Sequence, residues 1–154
     1  MEIIPLVTKE NVTGKEVKNK LWNQFLALIE ILKSKNLSDE IITFINNQIE
    51  ELNEFPCGNV DFYKLVRQKQ TLILKRLEQE LKMVPKNYYM NLWLAIGMTV
   101  FGVPIGISMG TVLDNMGMFG IGLPIGMAIG IALGHGLDKK AKESGKQLEI
   151  EMKY

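Results

Sequence analysis

Charge is missing where this chain of 154 residues would need it to stay in water: between Asn87 and Leu137, Asp114 is the only charged side chain in 51 residues. A soluble domain must bury such a run, and a chain this short has too little else to cover it. Cysteine is also scarce. Cys57 is the single thiol, which excludes an intramolecular disulfide framework and a cysteine-based zinc site. An excess of positive charge is lacking too: 18 Lys and Arg against 17 Asp and Glu leave +1, too little for an electrostatic nucleic-acid binder. The start of the chain, Met1-Glu2-Ile3-Ile4-Pro5, has no basic leader, and Pro5, Lys9 and Glu10 break its apolar run. No cleavable signal peptide is expected.

Catalytic patterns are absent as well. No carboxylate pair, nucleophile–base set, Walker loop or dinucleotide turn stands out, and Gly120-Ile121-Gly122 lies inside an apolar segment rather than between a strand and a helix. The expectation is therefore not an enzyme, with no catalytic residues, cofactor or metal site. His135, the only histidine, offers a pH sensor or proton path, and equally a polar residue at the edge of an apolar span. Asp114 offers either a cation-attracting mouth or a plain turn residue. Six methionines between Met90 and Met127 suit Cu(I) chemically, but no histidine or cysteine joins them, and adaptable packing explains them as well.

What is present divides in two. Residues 1–86 read as a cytoplasmic helical domain, a helical hairpin or three-helix bundle. A first helix has Thr13 as N-cap with Glu16 closing a capping box, and Val12 and Val17 as a hydrophobic staple. Its stripe is Val17, Leu21, Phe25, Leu28, Ile29 and Leu32, at spacings of three and four. A second starts at Ser38, stapled by Leu37 and Ile42, with Asp39 and Glu40 at the positive end of its dipole. Ile41, Ile45, Ile49 and Leu52 form its stripe, and Phe55-Pro56-Cys57-Gly58 stops it. A third begins at Asp61, with Phe62, Leu65, Val66, Leu72, Ile73, Leu77 and Leu81 inward and Pro85 past its end. Its charges balance, 13 basic against 12 acidic up to Asn87, and read as a solvated surface.

The apolar half repeats itself. Residues 102–113, GVPIGISMGTVL, and residues 122–133, GLPIGMAIGIAL, share G-x-P-I-G-x-x-x-G-x-x-L. Leu113-Asp114 returns as Leu137-Asp138, shifted by about one helical turn more. Leu92–Leu113 and Met118–Leu137 each reach about 30 Å as helices, the thickness of a bilayer's hydrocarbon core. Residues 87–138 are thus expected to form a transmembrane hairpin turning at Asp114-Asn115-Met116-Gly117. Tyr88, Tyr89 and Trp93 are its aromatic anchors, and Lys86, Lys139 and Lys140 its charged ones. Lysines flank the outer ends of both spans and none lies in the turn, so both termini are expected in the cytoplasm, with residues 139–154 as a cytoplasmic tail.

Gly102, Gly106 and Gly110, and again Gly122, Gly126, Gly130 and Gly134, recur every four residues, which places each set in one shallow groove. Helices in lipid gain by close backbone approach, and glycine permits it. The ladders are expected both to join the two spans and to meet neighbouring chains, giving a homo-oligomer. Pro104 and Pro124 leave the carbonyls of Val100 and Gly120 without their helical donors and mark kinks, unless the second helix begins only at Pro124. In the tail, Leu148 to Tyr154 alternates apolar and charged residues. That is strand periodicity, with Glu2–Val7 as a pairing candidate, and it competes with a helical or disordered tail.

The stretch Asn91–Tyr154, about 40% of the chain, carries the doubled GxPIGxxxG and the closing Leu137-Asp138-Lys139-Lys140-Ala141-Lys142-Glu143. It resembles the small bacterial glycine-zipper membrane proteins, a family without an assigned role. The resemblance implies a two-span protein of the bacterial inner membrane and carries over no catalytic residue. Taken together, the expectation is an all-α interaction or scaffold protein that self-associates through its spans, partnered by the lipid bilayer and by a protein bound to residues 1–86. The alternative is a small oligomeric pore gated by the cytoplasmic helices, for which span one offers only Thr99, Ser108 and Thr111 as polar lining.

Overall fold

Helical periodicity decides most of the architecture. The computed structural model describes residues 2–7, 16–56 and 60–152, so the expected Thr13 cap, the Val12–Val17 staple and the Cys57-Gly58 stop lie outside the described residues. The chain divides into two compact units, residues 1–83 and 84–153.

The first unit holds α1 (Glu16–Lys33), α2 (Asp39–Glu54) and α3 (Val60–Leu81). Helix α3 packs against both α1 and α2. Their apolar stripes meet: Phe25, Leu28 and Leu32 from α1, Ile41, Ile45, Ile49 and Leu52 from α2, and Phe62, Val66, Ile73 and Leu77 from α3 are all buried. Trp22 also goes inside, its ring 5.5 Å from that of Phe62. Leu72 departs from expectation. It is 45% exposed, while Leu74 is buried, because the inner face runs through Lys69, Gln70, Ile73, Leu74 and Leu77, and Leu72 lies a full 100° step off Ile73. Lys69 enters the core without being left unpaired: its ammonium donates to Gln48 Oε1 at 3.0 Å and to Glu51 Oε2 at 2.5 Å. Ser38 precedes α2 in an extended conformation but caps nothing with its hydroxyl; Asp39 and Glu40 supply the negative charge at that end.

The second unit opens with β1 (Val84–Lys86), followed by α4 (Tyr88–Ile96), a π-helical turn (Gly97–Gly102) and α5 (Val103–Val112). A short 3₁₀ turn (Met116–Met118) leads into α6 (Phe119–Glu143), and β2 (Gln147–Glu151) closes the unit. Two stretches, Tyr88–Val112 and Phe119–Glu143, are each 25 residues long and apolar enough to cross a membrane. At about 1.5 Å per residue each reaches roughly 37 Å. Only 17% and 22% of their apolar windows are buried within the protein, unlike the core helix of a soluble domain.

Helix α6 starts at Phe119 and carries Pro124 in its interior, so a second helix beginning only at Pro124 is not what forms. The tail is a strand, but its partner differs from the expected one. Strand β2 pairs in parallel with β1, Val84 opposite Gln147 and Pro85 opposite Leu148, with an irregularity before Lys86. Residues 2–7 run elsewhere, along α2. A three-residue strand containing proline gives no periodic signal, whereas the long alternation of its partner does.

The candidate helix-packing site

The turn that reverses the chain is set by local hydrogen bonds. Leu113 N donates to Met109 O at 3.1 Å and Asn115 N to Gly110 O at 3.0 Å, ending α5. Asp114 takes the left-handed conformation (φ 46°), which a short polar side chain tolerates better than a branched one. Asn115 Oδ1 accepts from Gly117 N at 3.0 Å, an Asx turn that starts the return.

Beyond the turn the two long helices lie backbone against backbone. A methyl added at Gly106 would stand 2.5 Å from the Phe119 carbonyl oxygen, and one at Gly122 would stand 2.5 Å from Gly106 Cα. Further down, Gly126 faces Gly97 and Gly102, Gly130 faces Trp93 and Leu94, and Gly134 faces Tyr89 and Met90. Gly102, Gly106, Gly110, Gly122, Gly126, Gly130 and Gly134 are all buried. Six of the seven, and Gly97 beside them, meet the opposite helix of the same hairpin. Gly110 lies at the turn end, where its carbonyl receives Asn115. The two ladders are therefore occupied inside one chain. On the base side of Gly97 the facing surface is not glycine at all but the backbone of Tyr89, Met90 and Trp93.

Gly97 belongs to this set although it stands five residues before Gly102, off the four-residue period. The π-helical turn Gly97–Gly102 explains how. A wider turn brings residues five apart onto one face, and a methyl on Gly126 would collide with Gly97 and Gly102 alike. The same turn immediately precedes Pro104, which sits in the first turn of α5; Val103 N donates to Met98 O across it, an i to i+5 bond. Deleting Val100, an exposed residue of the π turn, should therefore leave both glycines in the groove and the hairpin intact. Deleting Ile105 from the regular helix should rotate Gly106, which meets Phe119 and Gly122, by about 100° relative to Gly102 and break it. Distance between labels on the two helices, read in detergent, distinguishes the outcomes.

The base of the hairpin is held by a carboxylate. Asp138, in α6, is 5% exposed, and its Oδ1 and Oδ2 accept from Tyr89 N at 3.1 Å and Met90 N at 2.9 Å. These are first-turn donors of α4 that the helix itself leaves unsatisfied. Asn87, at the N-cap position with φ 60°, makes no side-chain cap bond, so the cap comes from the other helix. Nearby, Lys86 pairs with Glu149 at 2.8 Å across the β1–β2 ribbon. Gln147 Nε2 reaches the Asp138 carbonyl at 3.5 Å.

The other expected site residues sit as follows. The Tyr88 and Tyr89 rings meet edge to face, 5.2 Å apart, beside the base. Trp93 is half-buried one turn on, and Lys139 and Lys140 are exposed, Lys139 lying 4.0 Å from Glu143. His135 points outward and exposed, as does Asp114 in the turn. Thr99, Ser108 and Thr111 are exposed on the outer face, and their hydroxyls donate to the carbonyls of Ala95, Pro104 and Ile107 at 3.1, 2.8 and 2.9 Å. Among the described residues no group of three His, Cys, Asp or Glu side chains is gathered that could hold a metal ion.

The site thus defines a close-packed helical hairpin of membrane-crossing length. No known protein family, curated protein or solved structure matches the chain.

Proposed function

We propose that this protein is a membrane-embedded interaction module in which residues 88–143 cross a bilayer twice and the hairpins self-associate through their outer face. The observation that carries this reading is a second row of small residues on α6. Gly120, Pro124, Ala128, Ala132 and Gly136 recur every four residues and are all exposed. They lie two residues, about 200°, from the buried ladder, on the opposite side of the helix. Methyls at Gly120 and Gly136 would meet nothing within 4 Å, so the hairpin itself has no need of glycine there. Glycine inside a helix costs about 1 kcal/mol relative to alanine, and close approach by a second helix is a use that offsets it.

The lysines support an orientation. Lys86, Lys139, Lys140, Lys142 and Lys146 gather at the base and none lies in the turn, which by the positive-inside rule supports a cytoplasmic base and cytoplasmic termini. The resemblance to bacterial glycine-zipper proteins supports reading that membrane as the bacterial inner membrane. A scaffold is favoured over a pore because the hydroxyls of Thr99, Ser108 and Thr111 are already satisfied by their own helix and ask for no water.

The test is cross-linking in native membranes. With Cys57 replaced by serine, Ala128→Cys should give a disulfide-linked dimer, and adding Gly120→Leu and Gly136→Leu should abolish it while the hairpin stays folded. A chain that remains monomeric with cysteine at Ala128 and again at Ala132 would defeat the proposal.

A further inference from the structure

The first unit contains a contact unrelated to membrane insertion. Residues 2–7 run extended along α2, held by two asparagines used in the same way. Asn46 Oδ1 accepts from Ile4 N and its Nδ2 donates to Glu2 O, both at 3.0 Å. Asn53 Oδ1 accepts from Val7 N at 3.0 Å and its Nδ2 donates to Pro5 O at 3.3 Å. Each side-chain amide thus satisfies a carbonyl and the N–H two residues later, as a neighbouring strand would.

The two clamps are in register for a geometric reason. Asn46 and Asn53 are seven residues apart, two helical turns, or about 10.5 Å along α2. The clamped pairs are three residues apart on the strap, and three extended residues cover about 10 Å. The clamps touch only main-chain atoms, so they read an extended backbone and not a particular sequence. Pro5 fits because its missing N–H falls between the two donors that are read.

The strap is lightly held. Ile3, Ile4 and Leu6 are only half-buried, and Val7 is 53% exposed. At its Glu2 end the track runs into a cavity of about 720 Å³ lined in part by Leu32, Leu37 and Ile42, with Lys33 and Lys35 beside them. That end combines aliphatic surface with two lysines, and Glu2 and Asp39 line the same cavity.

We propose that the α2 track marked by Asn46 and Asn53 is a receptor for an extended peptide, occupied at rest by the chain's own residues 2–7. The ligand that displaces them is an extended segment of a partner protein with the same chemistry: an acidic residue followed by aliphatic ones, with free main-chain groups at the clamped positions. The site lies wholly within the first unit and does not depend on the outer-face association proposed above.

The probe is the labelled peptide Glu-Ile-Ile-Pro-Leu-Val, followed by fluorescence anisotropy against the detergent-solubilised chain lacking residues 2–7. Saturable binding is expected, at least ten-fold weaker to the intact chain, whose strap competes. Asn46→Ala with Asn53→Ala should lower affinity at least ten-fold without changing helix content. Asn46→Asp should weaken it too, because a carboxylate cannot donate to the Glu2 carbonyl. Absence of saturable binding, or binding indifferent to the asparagines, would overturn the proposal. If the shortened chain does not fold, the intact chain answers: unlabelled peptide should accelerate hydrogen exchange at the Ile4 and Val7 amides, and no acceleration would overturn it equally.

Discussion

Gly126→Ala should separate the two long helices, whereas Gly136→Ala, ten residues along the same helix, should strengthen it. At Gly126 the new methyl would meet only main-chain atoms, among them Gly102 Cα at 2.5 Å. Backbone cannot rotate away as a side chain can, so the helices must part along their length. Overpacking of this kind costs about 1–3 kcal/mol, and the absence of any yielding neighbour puts Gly126 at the upper end. Gly130→Ala should behave alike, with Trp93 and Leu94 as the obstacle. At Gly136 and Gly120 nothing lies within 4 Å, so alanine only removes backbone freedom and should add about 0.5–1 kcal/mol of helix stability. The measurement is the denaturant midpoint of hairpin opening in detergent, followed by energy transfer between labels on α4 and α6. Equal effects at Gly126 and Gly136 would show that the helices are not held by backbone contact.

Gly126 and Gly97 differ in how far the sequence alone declares their role. Gly122, Gly126, Gly130 and Gly134 declare their groove because α-helical periodicity maps a spacing of four onto one face. Gly97 is invisible to the same reasoning, since its spacing of five fits no α-helical row. The available signal was Pro104, seven residues on, which disturbs the preceding turn and gives a π turn somewhere to form. The choice between partners was also hidden. A glycine period shows that a helix has a close neighbour but not whether the neighbour is in the same chain, and a hairpin short enough to fold on itself fills that groove first. In the first unit, Leu72 illustrates the limit of stripe reading: in the run Leu72-Ile73-Leu74 the apolar signal is continuous, and only packing against α1 and α2 selects Ile73 and Leu74. The Asn46 and Asn53 clamps had no sequence signal, because asparagines on an amphipathic helix read as solvated surface.

Asp138→Ala should open the hairpin from the opposite end to Gly126→Ala. In sequence Asp138 looks like a boundary charge beside Lys139 and Lys140, but its carboxylate is buried and carries the first-turn donors of a helix 49 residues away. Removing it deprives the half-buried N–H groups of Tyr89 and Met90 of their acceptor, and it takes a negative charge from the positive end of α4. Loss of a helix cap made of charge-assisted bonds amounts to about 2–3 kcal/mol. Asp138→Asn keeps the shape but accepts with one oxygen only and turns an amide donor toward the other N–H, so stability should fall in the order Asp, Asn, Ala. The repeat's other aspartate gives the control. Asp114 is exposed in the turn at φ 46°, and Asp114→Gly should be neutral or slightly stabilising because glycine adopts that conformation freely. Hydrogen exchange locates the damage: Asp138→Ala should speed exchange at Tyr89 and Met90 first, while Gly126→Ala should loosen the middle of both helices. Unchanged exchange at those two amides in Asp138→Ala would mean that the base is held by the β1–β2 ribbon and the Lys86–Glu149 pair instead, and that α4 takes its cap from solvent.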